Sequence, residues 1–298
     1  MINLIQGDCL EKMKFIADVS VDMILCDLPY GTTACKWDVI IPFEPLWEQY
    51  NRVIKDNGAI VLFASQPFTT MLIGSNIKGY KHSWVWHKKN AGNVLVAKYQ
   101  PLKTTEDIVV FSKKGERVNY YPIMTSGHKD RSKDKPTKKR SDLFSGIKSG
   151  EFKHGTNKKG DERYPKHLIE FSNASRKEHY HPTQKPVELL KYLIKTYTND
   201  GETILDNCMG SGSTGVAVLE VGGNRNFIGI ELNEDYYNIS KKRIEECLKW
   251  LILKKSLKLY YGLTLNEGIL TNILYKDIFI LWTEKITNMY KVYMIVIM

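Results

Sequence analysis

A carboxylate and a phenol ring stand three residues apart in Asp27-Leu28-Pro29-Tyr30-Gly31. The pentapeptide follows the apolar run 21–26, so the pattern predicts a buried strand opening into a rigid turn. An aromatic face can stack on a planar heterocycle, and a neighbouring carboxylate can accept a hydrogen bond from an exocyclic amine. A protein doing chemistry on a nucleobase must hold the base out of the helix by this pair of interactions. An Asx-type turn carrying a surface tyrosine has the same five residues, so the rest of the chain must decide.

A second group lies 180 residues on. The run 203–205 leads through Asp206 into Asn207-Cys208-Met209-Gly210-Ser211-Gly212-Ser213-Thr214-Gly215 and a helical pattern. Gly210, Gly212 and Gly215 satisfy G-x-G-x-x-G between a strand and a helix, where glycine lets a ligand approach the backbone. Nineteen residues past Gly212, Glu231 ends the strand 227–230, well placed to hold ribose hydroxyls. On these residues alone a nicotinamide or flavin dinucleotide is an equal reading.

The elements that must position these groups follow from periodicity. Strands are predicted at 2–6, 21–26, 59–64, 83–86, 108–111, 203–205 and 227–230. Helices are predicted at 42–56, 67–73, 186–197, 215–221 and 234–248, with a turn or two of helix at 11–16. Alternation of this kind means a mainly parallel α/β sheet of about seven strands. In such sheets ligands bind at the carboxyl ends of the strands, so neighbouring strands before Asp27 and Asn207 would make one site.

Periodicity fades from 117 to 178, where 13 Lys or Arg face 6 Asp or Glu between Lys129 and Lys166. The whole chain carries a net charge of +10, which favours a polyanionic partner through counterion release. Five cysteines with no C-x-x-C spacing read as reduced thiols of a cytoplasmic protein, and no cluster has metal-ligand spacing. No signal peptide and no run of 18 apolar residues is visible, so no membrane association is expected.

The motifs resemble those of the amino-methylating DNA methyltransferases, which modify N6 of adenine or N4 of cytosine. Asp27-Leu28-Pro29-Tyr30 resembles their Asp/Asn/Ser-Pro-Pro-Tyr/Phe signature. Residues 206–214 resemble their Asp-Pro-Phe-x-Gly-Ser-Gly-Thr-Thr loop, His181-Pro182-Thr183-Gln184-Lys185-Pro186 the segment ahead of it, and 106–113 a core strand. The motif order is that of the β group, and the hexapeptide sets the dinucleotide reading aside. Two departures stand out: Leu28 replaces a proline, and Cys208 replaces an aromatic residue.

The resemblance implies a Rossmann-like S-adenosylmethionine-dependent methyltransferase fold with an inserted basic target-recognition region. It implies a catalytic half at 1–116, the insertion at 117–178, a cofactor half at 179–249 and an extension of unassigned role at 250–298. Asp27, Leu28, Pro29 and Tyr30 would be catalytic. Asp8, Thr183, Lys185, Asp206, Cys208, Gly210, Ser211, Gly212, Thr214 and Glu231 would bind the cofactor, with Lys185 and Thr183 at its methionine end. The partner would be double-stranded DNA, with a cognate restriction enzyme and a second copy of the chain as further candidates. An aspartate at the head of the signature favours adenine N6, with cytosine N4, RNA, or binding without catalysis as alternatives.

Overall fold

The computed structural model describes residues 1–33, 35, 38–127, 161–173 and 184–261. The elements are β1 (Ile2–Gln6), α1 (Cys9–Met13), β2 (Val21–Asp27), α2 (Phe43–Val53), β3 (Ile54–Ala64), α3 (Phe68–Ser75), β4 (Tyr80–Lys88), β5 (Thr105–Phe111), β6 (Leu168–Phe171), α4 (Val187–Tyr197), β7 (Thr203–Asp206), α5 (Ser213–Val221), β8 (Asn226–Glu231) and α6 (Glu234–Tyr261). The chain divides into two compact units, 1–244 and 245–298. Of the second, only the continuation of α6 to Tyr261 is described. Thr183 and most of the basic stretch 129–166 lie outside the described residues.

The first unit is built on one eight-stranded sheet of order β1-β8-β7-β2-β3-β5-β4-β6. From β1 through β3 every pairing is parallel, β5 is antiparallel to both β3 and β4, and β6 is parallel to β4. The mainly parallel α/β reading therefore holds, with one strand beyond the expected seven. That strand, β6, lies in the stretch predicted as insertion. It is four residues long and buries only Ile169, too little pattern to stand out among lysines.

Strand β2 is buried along nearly its whole length, as a central strand covered on both faces must be. Residues alternating outward from it toward α1–α3, such as Ile24 and Cys26, join Met13, Leu46 and Tyr50 in one core. Helix α2 supplies Leu46, Trp47, Tyr50 and Val53 to it, an i, i+1, i+4, i+7 stripe. Helix α4 packs against β2 and α5. At the amino-terminal end of the strands, buried Asp22 accepts from Lys55 Nζ at 2.7 Å and from the Thr203 N–H at 2.9 Å. This pins the β2–β7 register that brings Ile24 opposite Leu205.

The order of the sheet reverses between β7 and β2. From β7 the chain crosses to β8 on one side, and from β2 it crosses to β3 on the other. A crevice opens at such a switch point, outside the carboxyl ends of the two strands. Asp27 ends β2 and Asp206 ends β7.

Candidate active site

A cleft of about 1340 Å³ lies at this switch point. Asp27, Leu28, Pro29 and Tyr30 line one part of it. Asp8, Lys185, Asp206, Cys208, Gly210, Ser211, Thr214 and Glu231 line the rest. Of the described candidates only Gly212 stands back. At φ +78°, it lies where a Cβ would come within 2.9 Å of Ser240 Cβ in α6, so its small size lets the loop pack on that helix.

The glycine-loop side is held by carboxylates. Asp206 accepts from Thr214 Oγ1 at 2.6 Å and from the Cys208 N–H at 3.1 Å. Burial pushes its carboxyl up to about 7, against the pull of those two donors. Glu231 accepts from the Gly210 N–H through Oε2 and from the Asn233 N–H through Oε1, each at 2.8 Å, and burial raises its carboxyl as well. Asp8 caps α1, accepting from the Leu10 and Glu11 N–H groups. Cys208, half-buried, accepts from Asn207 Nδ2 at 3.6 Å and packs against the core that holds Cys9 and Cys26, and burial pushes the Cys26 thiol up to about 12. The residue that departs from the aromatic pattern thus lines the cleft beside Cys9.

On the other side, Tyr30 Oη donates to Asp27 Oδ1 at 2.8 Å and lies 2.9 Å from Glu106 Oε1. Its ring stacks on Phe68, centroids 5.0 Å apart. Leu28 buries its side chain in the α1–α3 core, which anchors the turn that a second proline would otherwise stiffen.

Lys185 joins the two sides. Its ammonium donates to Asp27 Oδ2 at 2.5 Å and lies 3.0 Å from Glu106 Oε1. It sits 5.0 Å from the centroid of the Phe63 ring and 5.8 Å from that of Tyr30. Next to it, Gln184 Oε1 lies 3.4 Å from Ser211 Oγ in the glycine loop. Lys88 also pairs with Glu106. Two ammonium groups and two carboxylates therefore balance in a largely buried cluster, the arrangement that makes buried charge tolerable. Burial raises Asp27 against the opposing pull of Lys185. It also acts upward on Glu106, but Lys185 and Lys88 outweigh it and hold that carboxyl at about 2.

The resemblance implies Lys185 at the methionine end of a cofactor; in the structure it lines the cleft with its ammonium on the signature aspartate. Glu106, Lys88, Phe63 and Phe68 were not singled out at all. Glu106 carried a signal only as the first residue of the strand 106–113, where one acid before an apolar run looks like an ordinary solvated edge.

The matched signature, glycine loop and cleft agree with a direct comparison. A family model for DNA methylases (N6_N4_Mtase) matches residues 21–242. The chain belongs to this DNA methylase family. The type II methyltransferase M.HpaI of Haemophilus parainfluenzae is 26% identical over 259 residues, covering 81% of this chain and 74% of that protein. The DNA adenine methyltransferase YhdJ of Escherichia coli (strain K12) is 29% identical, covering 81% of this chain and 82% of its own length. Among solved structures, the M1.HpyAVI–SAM complex matches with a TM-score of 0.52 at 24% identity, covering 82% of this chain and all of that one. The last similarity is one of fold, and it agrees with the Rossmann-like architecture described above.

Proposed function

We propose that this DNA methylase is site-specific and transfers a methyl group from S-adenosylmethionine to N6 of adenine. The observation that carries the reading is the meeting of Asp27 and the glycine loop in one cleft, at the adjacent carboxyl ends of β2 and β7. The adenine assignment is supported by the Asp-first signature and by similarity to YhdJ, named as an adenine enzyme. Relatives named as type II methyltransferases support a cognate restriction enzyme as its counterpart.

The cleft suits the cofactor. Glu231 uses one lone pair of each oxygen on a backbone N–H, leaving one on each that would accept from the hydroxyls of a ribose diol. Gly210, at φ +51°, keeps the backbone beside it open to close approach. Asp8, Asp27, Asp206 and Glu231 surround the space with carboxylates, a donor set matched to a cation. S-adenosylmethionine, when bound, supplies an electrophilic methyl group on a positively charged sulfur.

The chain's own residues then prepare the acceptor. Asp27 Oδ2 and the Leu28 carbonyl accept hydrogen bonds from the adenine amine, drawing its lone pair out of the ring and aiming it toward the glycine loop. Tyr30 fixes the Asp27 carboxylate through Oδ1, and the face of its ring that Phe68 does not cover would stack on the base. Asp27 Oδ2 receives the proton that the amine sheds.

Sequencing DNA from cells that express the protein, with detection of modified bases, should reveal N6-methyladenine at one short sequence. Digestion to nucleosides identifies the product independently. N4-methylcytosine would replace the adenine assignment, and DNA left unmodified would sink the reading.

A further inference from the structure

The connection between β4 and β5 forms a stiff protrusion at the rim of the cleft. Gly92, Asn93, Gln100 and Lys103, at its base, line the cleft wall. The base is clamped: Asn93 Nδ2 donates to the Pro101 carbonyl at 3.1 Å, and the Lys103 N–H donates to Asn93 Oδ1 at 2.5 Å. Inside it, the Val96 N–H donates to the Asn93 carbonyl at 3.1 Å and the Tyr99 N–H to the Val96 carbonyl at 2.9 Å, so the tip is a wound turn.

That tip is apolar and bare. Leu95 is 98% exposed, Tyr99 87% and Val94 64%. Single exposed apolar residues are normal on any protein, but three gathered on one short turn mark an interaction surface. Lys89, Lys98 and Lys103, all exposed, flank the turn. A partner that is apolar in the middle and anionic at its edges fits this surface, and a DNA duplex opened at one base step is such a partner: stacked base faces between two phosphate chains.

We propose that Leu95 and Tyr99 enter the duplex at the gap left by the target base when it rotates into the cleft. The inference rests on the DNA methyltransferase reading and adds a part of the machinery outside the pocket. Apolar side chains are used as wedges between base steps elsewhere. Here the wedge fills the space vacated by a base, while the lysines hold the flanking phosphates and the hydrogen-bonded base of the turn sits in the cleft wall. The wedge matters most where the base is well paired, because extrusion is least costly from a mismatch.

The test compares the wild type with L95A/Y99A, and with I77A as an exposed-residue control, on two duplexes. The wild type selects its site from a random-sequence pool, so no turnover is needed. Each adenine in that site is replaced in turn by 2-aminopurine, whose fluorescence rises when it leaves the stack, opposite either thymine or a mispaired base. We expect L95A/Y99A to lose about 10-fold of the fluorescence response on the paired duplex and to keep it on the mispaired one. I77A should match the wild type on both. A double variant that responds normally on paired DNA, or that fails equally on both duplexes, overturns the wedge, as does a wild type that gives no response. A wild type that extrudes the base but transfers no methyl group from labelled S-adenosylmethionine overturns the methyltransferase reading and leaves the wedge standing.

Discussion

In the proposed mechanism the amino group of the base takes up the contact with Asp27 Oδ2 that the Lys185 ammonium makes at 2.5 Å, so Lys185 has to yield as a base enters. Glu106, already 3.0 Å from that ammonium and held well below the usual carboxylate range, is the charge that retains it. Lys185 also opposes the burial that raises Asp27. Removing the ammonium leaves burial opposed by the Tyr30 hydrogen bond alone, so the carboxylate form of Asp27 requires a higher pH. We therefore predict that Lys185→Gln moves the acid limb of the pH–rate profile upward, the shift expected on losing a positive charge that disfavours the proton. An unmoved limb would mean that Lys185 does not set the charge of Asp27. For the acceptor side, Asp27→Ala should cost at least about 100-fold in methyl transfer. Tyr30→Ala should cost less, on the scale of one lost stacking contact of about 1–3 kcal/mol. Tyr30→Phe should cost less still, since it removes one hydrogen bond of about 0.5–1.5 kcal/mol. Steady-state rates with cofactor at saturation give the order, and a Tyr30→Phe enzyme as weak as Asp27→Ala would contradict it. Asp27, Tyr30, Asp206, Glu231 and the glycines were legible in the sequence because each sits in a short contiguous pattern. The ion-pair network that joins Asp27 to the rest of the site was not, because Lys88, Glu106 and Lys185 come from three separate segments and meet only once the sheet has formed.

At the scale of elements, the helix after the glycine loop depends on close approach. A Cβ on Gly215 in α5 would lie 2.5 Å from Ile244 Cδ1 and 2.8 Å from Phe227 Cε1. Gly215→Ala should destabilise the fold by about 1–3 kcal/mol through overpacking, although alanine is the better helix former. Urea unfolding measures this, and a variant of equal or greater stability would show that α5 can shift at no cost. The third glycine of the motif therefore serves the packing of helix, strand and α6 rather than the ligand. Most elements could be read from periodicity, since the apolar stripes of α2 and α4 and the buried runs of β2 and β3 are strong. Strand β3 begins at Ile54, inside the residues read as helix 42–56. Its first turn of pattern is broken by exposed Asp56 and Asn57, which look like a helix end. Strand β6 escaped for the opposite reason: it has too little buried surface to register.

For the molecule as a whole, the charge of +10 predicts that DNA binding weakens steeply with salt. With several phosphates neutralised, the logarithm of affinity should fall linearly with the logarithm of salt concentration, at a slope of about −0.9 per contact. Titrations of a labelled duplex between low and physiological salt measure this, and a flat response would mean that the excess lysines face away from the DNA. The sheet carries a different whole-chain consequence. Strand β1 is parallel to β8, Ile2 opposite Phe227, and the amino group of Met1 donates to Asn226 Oδ1 at 2.8 Å. Strand β1 thus has its pairing partner among the described residues more than two hundred residues downstream. At about 5–20 residues per second it must wait on the order of 10–45 s for that partner during synthesis. Strand β1 should therefore remain open to protease in chains stalled before β8 and become protected in chains stalled well beyond it.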